Sequence, residues 1–356
     1  MRLFLALVRT IHAWSGAALS LLLIVLGLTG SALVWKTDWL RLTVPQANLM
    51  VQPTPQVLAV AAEAAEKTYG EHVHHIVFAS PHLGLHQVFL HGERYAYLAG
   101  DGHTVAVWRG TGRLEEWVYE LHHFLLAGDN GMRLAGYAAL AAAALVLTGL
   151  VVWAPVWRSS RLRFWPRSAR RGDLLSTHRN LGLVFAIPVF VFCLTGGAMI
   201  FFKTTQSLLN KAFPGPAPEE FFPPADPGKI DWVKALTNAQ AAFPKATLRV
   251  AIWPQFSSSP AEIRMKQPGE WTPDGATKVL IDPVNSQVLG VVDAQTLSRG
   301  RRLNGAIYPL HTAYVGGRAY DALAFASGLA MAALGALGLW SFIIKPRRRS
   351  RTAKST

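Results

Sequence analysis

The chain has 356 residues, 51% of them hydrophobic and only 16% charged, with a formal net charge of +14. A charged share well below the roughly 25% of an average soluble protein argues that part of the chain sits in lipid. The single cysteine, Cys193, excludes an intramolecular disulfide, a thiolate zinc finger, a cysteine-held iron–sulfur cluster and CxxCH haem attachment.

Four stretches of about twenty apolar residues meet the length criterion for a membrane span. They are 11–35, 134–157, 181–202 and 322–344. Arg2 and Arg9 precede the first, but its apolar run is long for a signal peptide and no A-x-A site follows, so it reads as a retained helix. Pro188 is expected to kink the third span, and Cys193 within it reads as a small core residue. The organisation expected is an α-helical four-span bundle with spans at 9–36, 133–157, 177–203 and 319–345. Extracytoplasmic segments then occupy 37–132 and 204–318, a basic loop 158–176 and a basic tail 346–356.

Lys and Arg in the short flanks set the orientation. Residues 1–10, the link at 158–179 and the tail from 345 hold fifteen bases against one acid, Asp173, whereas 36–133 and 203–321 hold twenty of each. Both termini and the Arg-rich link are therefore expected in the cytoplasm, and the long segments in the periplasm, as in a multi-pass protein of a bacterial inner membrane. The +14 reads as a topology signal at the bilayer, with no nucleic-acid partner.

The chain also reads as duplicated. Placing His12 on His178 aligns the first span with the third without a gap: Gly16 falls on Gly182, and Leu28-Thr29-Gly30 on Leu194-Thr195-Gly196. Tyr119-Glu-Leu-His122 likewise falls on Tyr308-Pro-Leu-His311, each shortly before the next span. Each half crosses twice, so the halves are parallel repeats about a pseudo-twofold axis along the membrane normal. The extracytoplasmic segments are more weakly alike. The first predicts a helix at 57–69 and strands at 75–79, 87–91, 95–98 and 104–108. The second predicts a helix at 231–243 and strands at 247–253, 261–266, 278–281 and 287–292. Each reads as a small α+β domain, and the Pro-rich stretch 213–227 as an extended linker.

Histidines near span ends need partners. The duplication would bring His12 towards His178 at the inner side and His122 towards His311 at the outer side. Two facing imidazoles are what a six-coordinate b-type haem requires, one nitrogen on each side of the iron. Two such pairs predict two haem b groups, bis-His and not covalently attached. His123, next to His122, is the alternative outer ligand. Gly16 and Gly182 lie one helical turn after their histidines, where a flat macrocycle needs a bare surface or where helices pack closely. Arg133 and Arg318 at the outer entrances, Arg299, Arg301 and Arg302 upstream of His311, and Arg179 inside could pair with haem propionates or an anionic substrate. His72, His74, His75, His82, His86, His91 and His103 crowd one domain without carboxylate or cysteine at ligand spacing, and read as surface and sheet positions. No GxGxxG after a strand, P-loop, GxSxG or HExxH occurs.

With these residues in place, the chain resembles the PepSY-associated transmembrane family. Its members include iron-regulated inner-membrane proteins and ferrisiderophore reductases of the FoxB type. The resemblance covers nearly the whole chain, most specifically His12 to Gly30, His178 to Gly196 and the Tyr-x-Leu-His segments, with PepSY-like domains at about 54–110 and 230–293. It implies a haem-dependent oxidoreductase that passes electrons outward to a ferric siderophore in the periplasm and releases ferrous iron. His12 and His178 match the inner ligand positions, and His122 and His311 the outer ones. The electron donor would be a soluble reductase, a flavin or a quinol. Two other readings stay open: a haem wire with a copper or redox-protein acceptor, and a non-redox PepSY sensor.

Overall fold

The computed structural model describes residues 1–159, 163–215, 228–256 and 258–344. The linker at 216–227, part of the basic loop and the basic tail from 345 onward lie outside the described residues. In chain order the elements are α1 (Arg2–Val34), α2 (Lys36–Thr43), α3 (Pro55–Tyr69), β1 (Val73–Val77), β2 (His86–Leu90), β3 (Arg94–Leu98), β4 (Thr104–Arg109), α4 (Leu114–Phe124) and α5 (Gly128–Trp153). There follow α6 (Arg171–Val184), α7 (Ala186–Ile200), α8 (Phe202–Ala212), α9 (Trp232–Ala242), β5 (Thr247–Ile252), β6 (Ala261–Lys266), β7 (Thr277–Ile281), β8 (Val288–Val292), α10 (Arg299–His311) and α11 (Gly317–Ile343). They fall into two compact units. One holds Met1–Ala32, Leu121–Ile200 and the chain from Arg318; the other holds Leu33–Glu120 and Phe201–Gly317.

In the helical unit, three helices are long and apolar enough to cross a membrane: α1, α5 with its short extension to Trp157, and α11. The stretch expected as the third span is broken. The α6 and α7 helices meet at 71°, so they make a fourth span only if the bent pair counts as one. The physical cause is Pro188, but the break falls before it. Proline has no N–H for the carbonyl of Val184 four residues back, and its ring crowds that carbonyl. The helix accordingly ends at Val184, and Phe185 leaves helical geometry with φ −98° and ψ 8°. A second difference concerns α1. It starts at Arg2, so His12 lies about three turns inside the helix rather than at its opening.

Small residues let these helices approach closely, as packing between apolar surfaces in lipid requires. A Cβ on Gly27 would meet the Gly328 carbonyl at 2.5 Å, and one on Gly335 would meet the Ser20 carbonyl at 3.0 Å. The Ser31 hydroxyl donates to the Phe325 carbonyl at 2.9 Å, tying α1 to α11. In the same way Gly197 of α7 seats Leu140 of α5, whose Cδ2 lies 2.7 Å from where a Cβ would stand.

The sheet unit corrects the expectation of two separate small domains. Its strands form one eight-stranded antiparallel sheet in the order β4-β3-β2-β1-β5-β6-β7-β8. The two predicted four-stranded sheets join through β1 and β5, with His75, Ile76 and Val77 opposite Ile252, Ala251 and Val250. The join continues symmetrically: Phe78 N–H donates to the Arg249 carbonyl at 2.8 Å, and Trp253 N–H to the His74 carbonyl at 3.1 Å. Each sheet alone would present a row of unpaired backbone groups at this edge, and pairing the edges satisfies both. α3 and α9 cover one face, burying Leu58, Ala62, Ala65, Trp232, Leu236 and Ala239 against strand residues such as Ile76, Ile263 and Val279. Thr54 and Asp231 start these helices by accepting the N–H groups of Val57 and Lys234.

Two β-bulges mark equivalent places. His74 is the extra residue of β1 against β2, and Arg249 that of β5 against β6. A bulge re-aims its side chain. The buried Arg249 guanidinium donates to the carbonyls of Phe78, Ala79 and Pro273 and to Asp274, four hydrogen bonds that compensate the buried charge. Four helices fall between the predicted elements: α2, α8, α4 and α10. The last two carry the Tyr-x-Leu-His segments.

Candidate functional site

The structure brings His12 of α1 and His178 of α6 together, with ring centroids 6.3 Å apart and planes nearly perpendicular at 81°. Their hydrogen bonds fix the tautomers. His178 Nδ1 lies 3.0 Å from the Leu334 carbonyl of α11. A carbonyl only accepts, so Nδ1 carries the hydrogen and the lone pair sits on Nε2. His12 Nδ1 lies 3.0 Å from the Thr148 hydroxyl of α5. That hydroxyl donates its single hydrogen towards the carbonyls of Ala144 and Leu145, both at 3.1 Å. It must therefore accept from His12, which again leaves the lone pair on Nε2. Leu145 and Leu334 are separated by 189 residues, as are His122 and His311.

Glycines stand beside these rings. A Cβ on Gly149 would lie 3.2 Å from His12 Cε1, and one on Gly338 would lie 3.5 Å from His178 Cε1. Of the glycines singled out from the sequence, Gly16 borders open space, with nothing within 4 Å of an added Cβ, whereas a Cβ on Gly182 would lie 3.6 Å from Leu334 Cδ2. Haem is tested by these features. Two imidazoles axial to one iron, with metal–nitrogen bonds of about 2 Å, have ring centroids roughly 6 Å apart. The separation of the rings, their lone-pair nitrogens and the bare flank at Gly16 fit such a group. Nearby, the buried Arg179 Nε and Thr177 Oγ1 have no hydrogen-bond partner among the described residues.

His122, on α4, places its Nδ1 3.0 Å from the Thr29 hydroxyl of α1. It also packs over Gly30, where a Cβ would stand 2.9 Å from its Cε1. Its neighbour His123 lies against Phe124, centroids 4.4 Å apart, and burial lowers its pKa. His311 is the last residue of α10 in the sheet unit. Arg133 is exposed in the second turn of α5. Arg318, at the start of α11, reaches Asp321 at 3.7 Å. Of the upstream arginines, Arg299 opens α10 and Arg301 and Arg302 follow in its first turn. The residues that sequence reasoning missed are Thr148, Gly149, Leu334 and Gly338. The glycines carried a signal, since Gly149 and Gly338 are also 189 residues apart.

In the sheet unit, Tyr119 of the first Tyr-x-Leu-His segment is pushed up to about 12, by burial first and then by Tyr308, its counterpart in the second. Lys36 reaches over the Tyr119 ring and pairs with Glu116 at 2.9 Å. The crowded histidines of the first half do not assemble a metal centre among the described residues. His74 and His75 share a 2.7 Å contact between their Nδ1 atoms, and the His91 ring lies 5.4 Å from His74. His75 is held down to about 4, by burial and then by His74 and Arg264.

His86 is fully buried. Its Nδ1 accepts the Ala79 N–H at 3.2 Å, and burial, then Arg249, lower its pKa to about 4. The unfolded imidazole titrates near 6.5, so below that pH the unfolded chain binds a proton that the folded one refuses. Stability is unaffected above pH 6.5 and falls as pH drops towards 4, by roughly 2 kcal/mol between pH 6.5 and 5. His86→Gln removes this contribution and leaves the similar one from His75, so the slope becomes shallower. Thermal unfolding at stepped pH checks it, and an unchanged slope in the variant would disprove the assignment.

The family model described as the PepSY-associated TM region matches residues 9–345. No match is found among curated proteins.

Proposed function

Because the chain belongs to the PepSY-associated TM region family, and is a membrane protein with three or four candidate spans, we propose that it is a di-haem b-type cytochrome that carries electrons across a bacterial inner membrane. The observation that carries this reading is the His12–His178 pair, two imidazoles 6.3 Å apart with their Nδ1 hydrogens turned to Thr148 and Leu334. Nothing in a purely structural role needs both Nε2 lone pairs kept available. In this reading the chain is a four-span bundle of two parallel repeats, with both termini cytoplasmic. His12 and His178 hold the inner haem, His122 and His311 the outer one, and Arg179, Arg133 and Arg318 supply cations for propionates. His122 is preferred to His123 because it alone meets both Thr29 and Gly30.

When bound, the haems supply one-electron transfer; the chain fixes their ligands, spacing and surroundings. A hydrocarbon core of roughly 30 Å is thick for a single carrier, and one group near each face shortens the step. The substrate at the outer side would be a ferric siderophore. One electron converts ferric to ferrous iron, which hard oxygen ligands hold more weakly, so the metal is released. The donor on the inner side would be a soluble reductase, a flavin or a quinol.

The test is a reduced-minus-oxidised spectrum of the purified protein with haem stoichiometry. A Soret band, an α-band on reduction and two haems per chain are expected; a protein with no Soret band overturns the reading. Mixing the reduced protein with a ferric siderophore, a cupric salt or an oxidised redox protein then identifies the acceptor by which one reoxidises it.

A further inference from the structure

The Leu-Thr-Gly motif marks the duplication, yet the proposed electron path leaves it without a task. We propose that Thr29 and Gly30 form a seat that positions His122, fixing its tautomer and the turn of its ring. The inference rests on the reading of His122 as a haem ligand only for its consequence on haem; the seat itself is a property of this chain. The Thr29 hydroxyl donates its hydrogen within α1, to the Val25 carbonyl at 2.7 Å and more weakly to the Leu26 carbonyl at 3.3 Å. A hydroxyl has one hydrogen and two lone pairs. With its hydrogen committed, Thr29 can only accept from His122, whose Nδ1 is 3.0 Å away. His122 is thereby held as the Nδ1–H tautomer with its lone pair on Nε2.

Gly30 supplies the other half of the seat. A Cβ there would stand 2.9 Å from His122 Cε1, 3.5 Å from Nδ1 and 3.7 Å from Nε2. The first distance is shorter than a carbon–carbon contact permits, so any side chain at position 30 turns the imidazole away. The three motif positions therefore divide the work: an apolar residue on the helix surface, a hydroxyl that orders the proton, and an absent side chain that admits the ring. The second motif carries the same internal bond, with the Thr195 hydroxyl donating to the Val191 carbonyl at 2.7 Å. The His12 seat has the same parts in reverse order of origin, Thr148 and Gly149 lying on α5 and the histidine on α1.

An acceptor on Nδ1–H makes a histidine a stronger donor to its metal and favours the oxidised iron. Thr29→Val keeps the shape of the side chain and removes the acceptor. It is expected to raise the midpoint potential of one haem and leave the other unchanged, and Thr29→Ser is expected to restore the wild-type value. Thr148→Val should raise the potential of the other haem in the same way, since Thr148 is the acceptor beside His12 Nδ1. Gly30→Ala should lower the affinity of one haem about tenfold or more, the range of second-shell losses at metal sites. Potentials unmoved in Thr29→Val, or equally moved in Thr29→Val and Thr29→Ser, overturn the proposal. The tautomer is read independently of haem by nitrogen NMR of histidine-labelled protein, with the His122 signal assigned by its loss in His122→Gln. An Nδ1–H tautomer in the wild type that is lost in Thr29→Val upholds the seat even if no haem is bound, and an Nε2–H tautomer in the wild type refutes it.

Discussion

His178→Ala is expected to reduce the haem content from two to one per chain, and His12→Ala to remove the same haem. The two rings stand 6.3 Å apart in one unit, so in the di-haem reading each would supply one of the two protein ligands of the same haem. Removal of either leaves a group held by one protein ligand, with the second helix no longer bound to it. Residues acting as one unit are not additive. The double variant should therefore lose no more haem than either single variant, whereas His12→Ala combined with His122→Ala should lose both. His178→Ala also removes the bond to the Leu334 carbonyl, so a purely structural role would destabilise α6 against α11 without changing the spectrum. His178→Gln separates the two outcomes, because its side-chain amide can still donate to that carbonyl. Haem content restored by glutamine would show that the ring is not a ligand; one haem per chain in both variants is the expected result.

The site was partly legible because duplication prints its residues twice. His12 and His178 could be paired from the sequence since each opens the same Gly- and Leu-Thr-Gly-bearing pattern, and the structure puts them together. Their hydrogen-bond partners were not legible. Thr148 aligns with Leu337 in the other half, so the hydroxyl that serves His12 has no counterpart, and His178 uses a backbone carbonyl that no side-chain pattern reveals. The strands were legible to within two residues as short runs bounded by turns, and β2 and β6 alternate buried with half-buried positions. Their union into one sheet was not, since the pairing of β1 with β5 is made by backbone groups between segments about 170 residues apart. The bend at Phe185 was legible in cause but not in place: a proline acts on the carbonyl four residues before it, so the fault appears upstream of the residue that makes it. The α2, α4, α8 and α10 helices were missed because they are short and flank spans, where apolar periodicity merges with that of the neighbouring helix.

Trp232→Ala is expected to be the most destabilising single truncation in the sheet unit. Trp232 is 1% exposed and among the largest fully buried side chains. It opens α9, packs against Trp253 with ring centroids 4.3 Å apart, and donates Nε1–H to Glu66 of α3 at 2.7 Å. It thus ties together the two helices that cover the joined sheet, one from each half of the chain. Truncation removes the apolar contacts, leaves a cavity that a packed interior closes only in part, and strips a partly buried carboxylate of its donor. Tryptophan-to-alanine changes in cores cost about 3–5 kcal/mol, a large share of the roughly 5–15 kcal/mol that holds a domain folded. In a unit of this size the unfolding midpoint should fall by about 6–20 °C. Trp232→Phe keeps most of the volume and loses the hydrogen bond, so it should cost nearer 1–2 kcal/mol. Hydrogen exchange in α3 and α9 separates this loss from any change in the helical unit. Amides of both helices should exchange faster together in Trp232→Ala, whereas faster exchange in α9 alone would show that the ring anchors its own helix and does not join the halves.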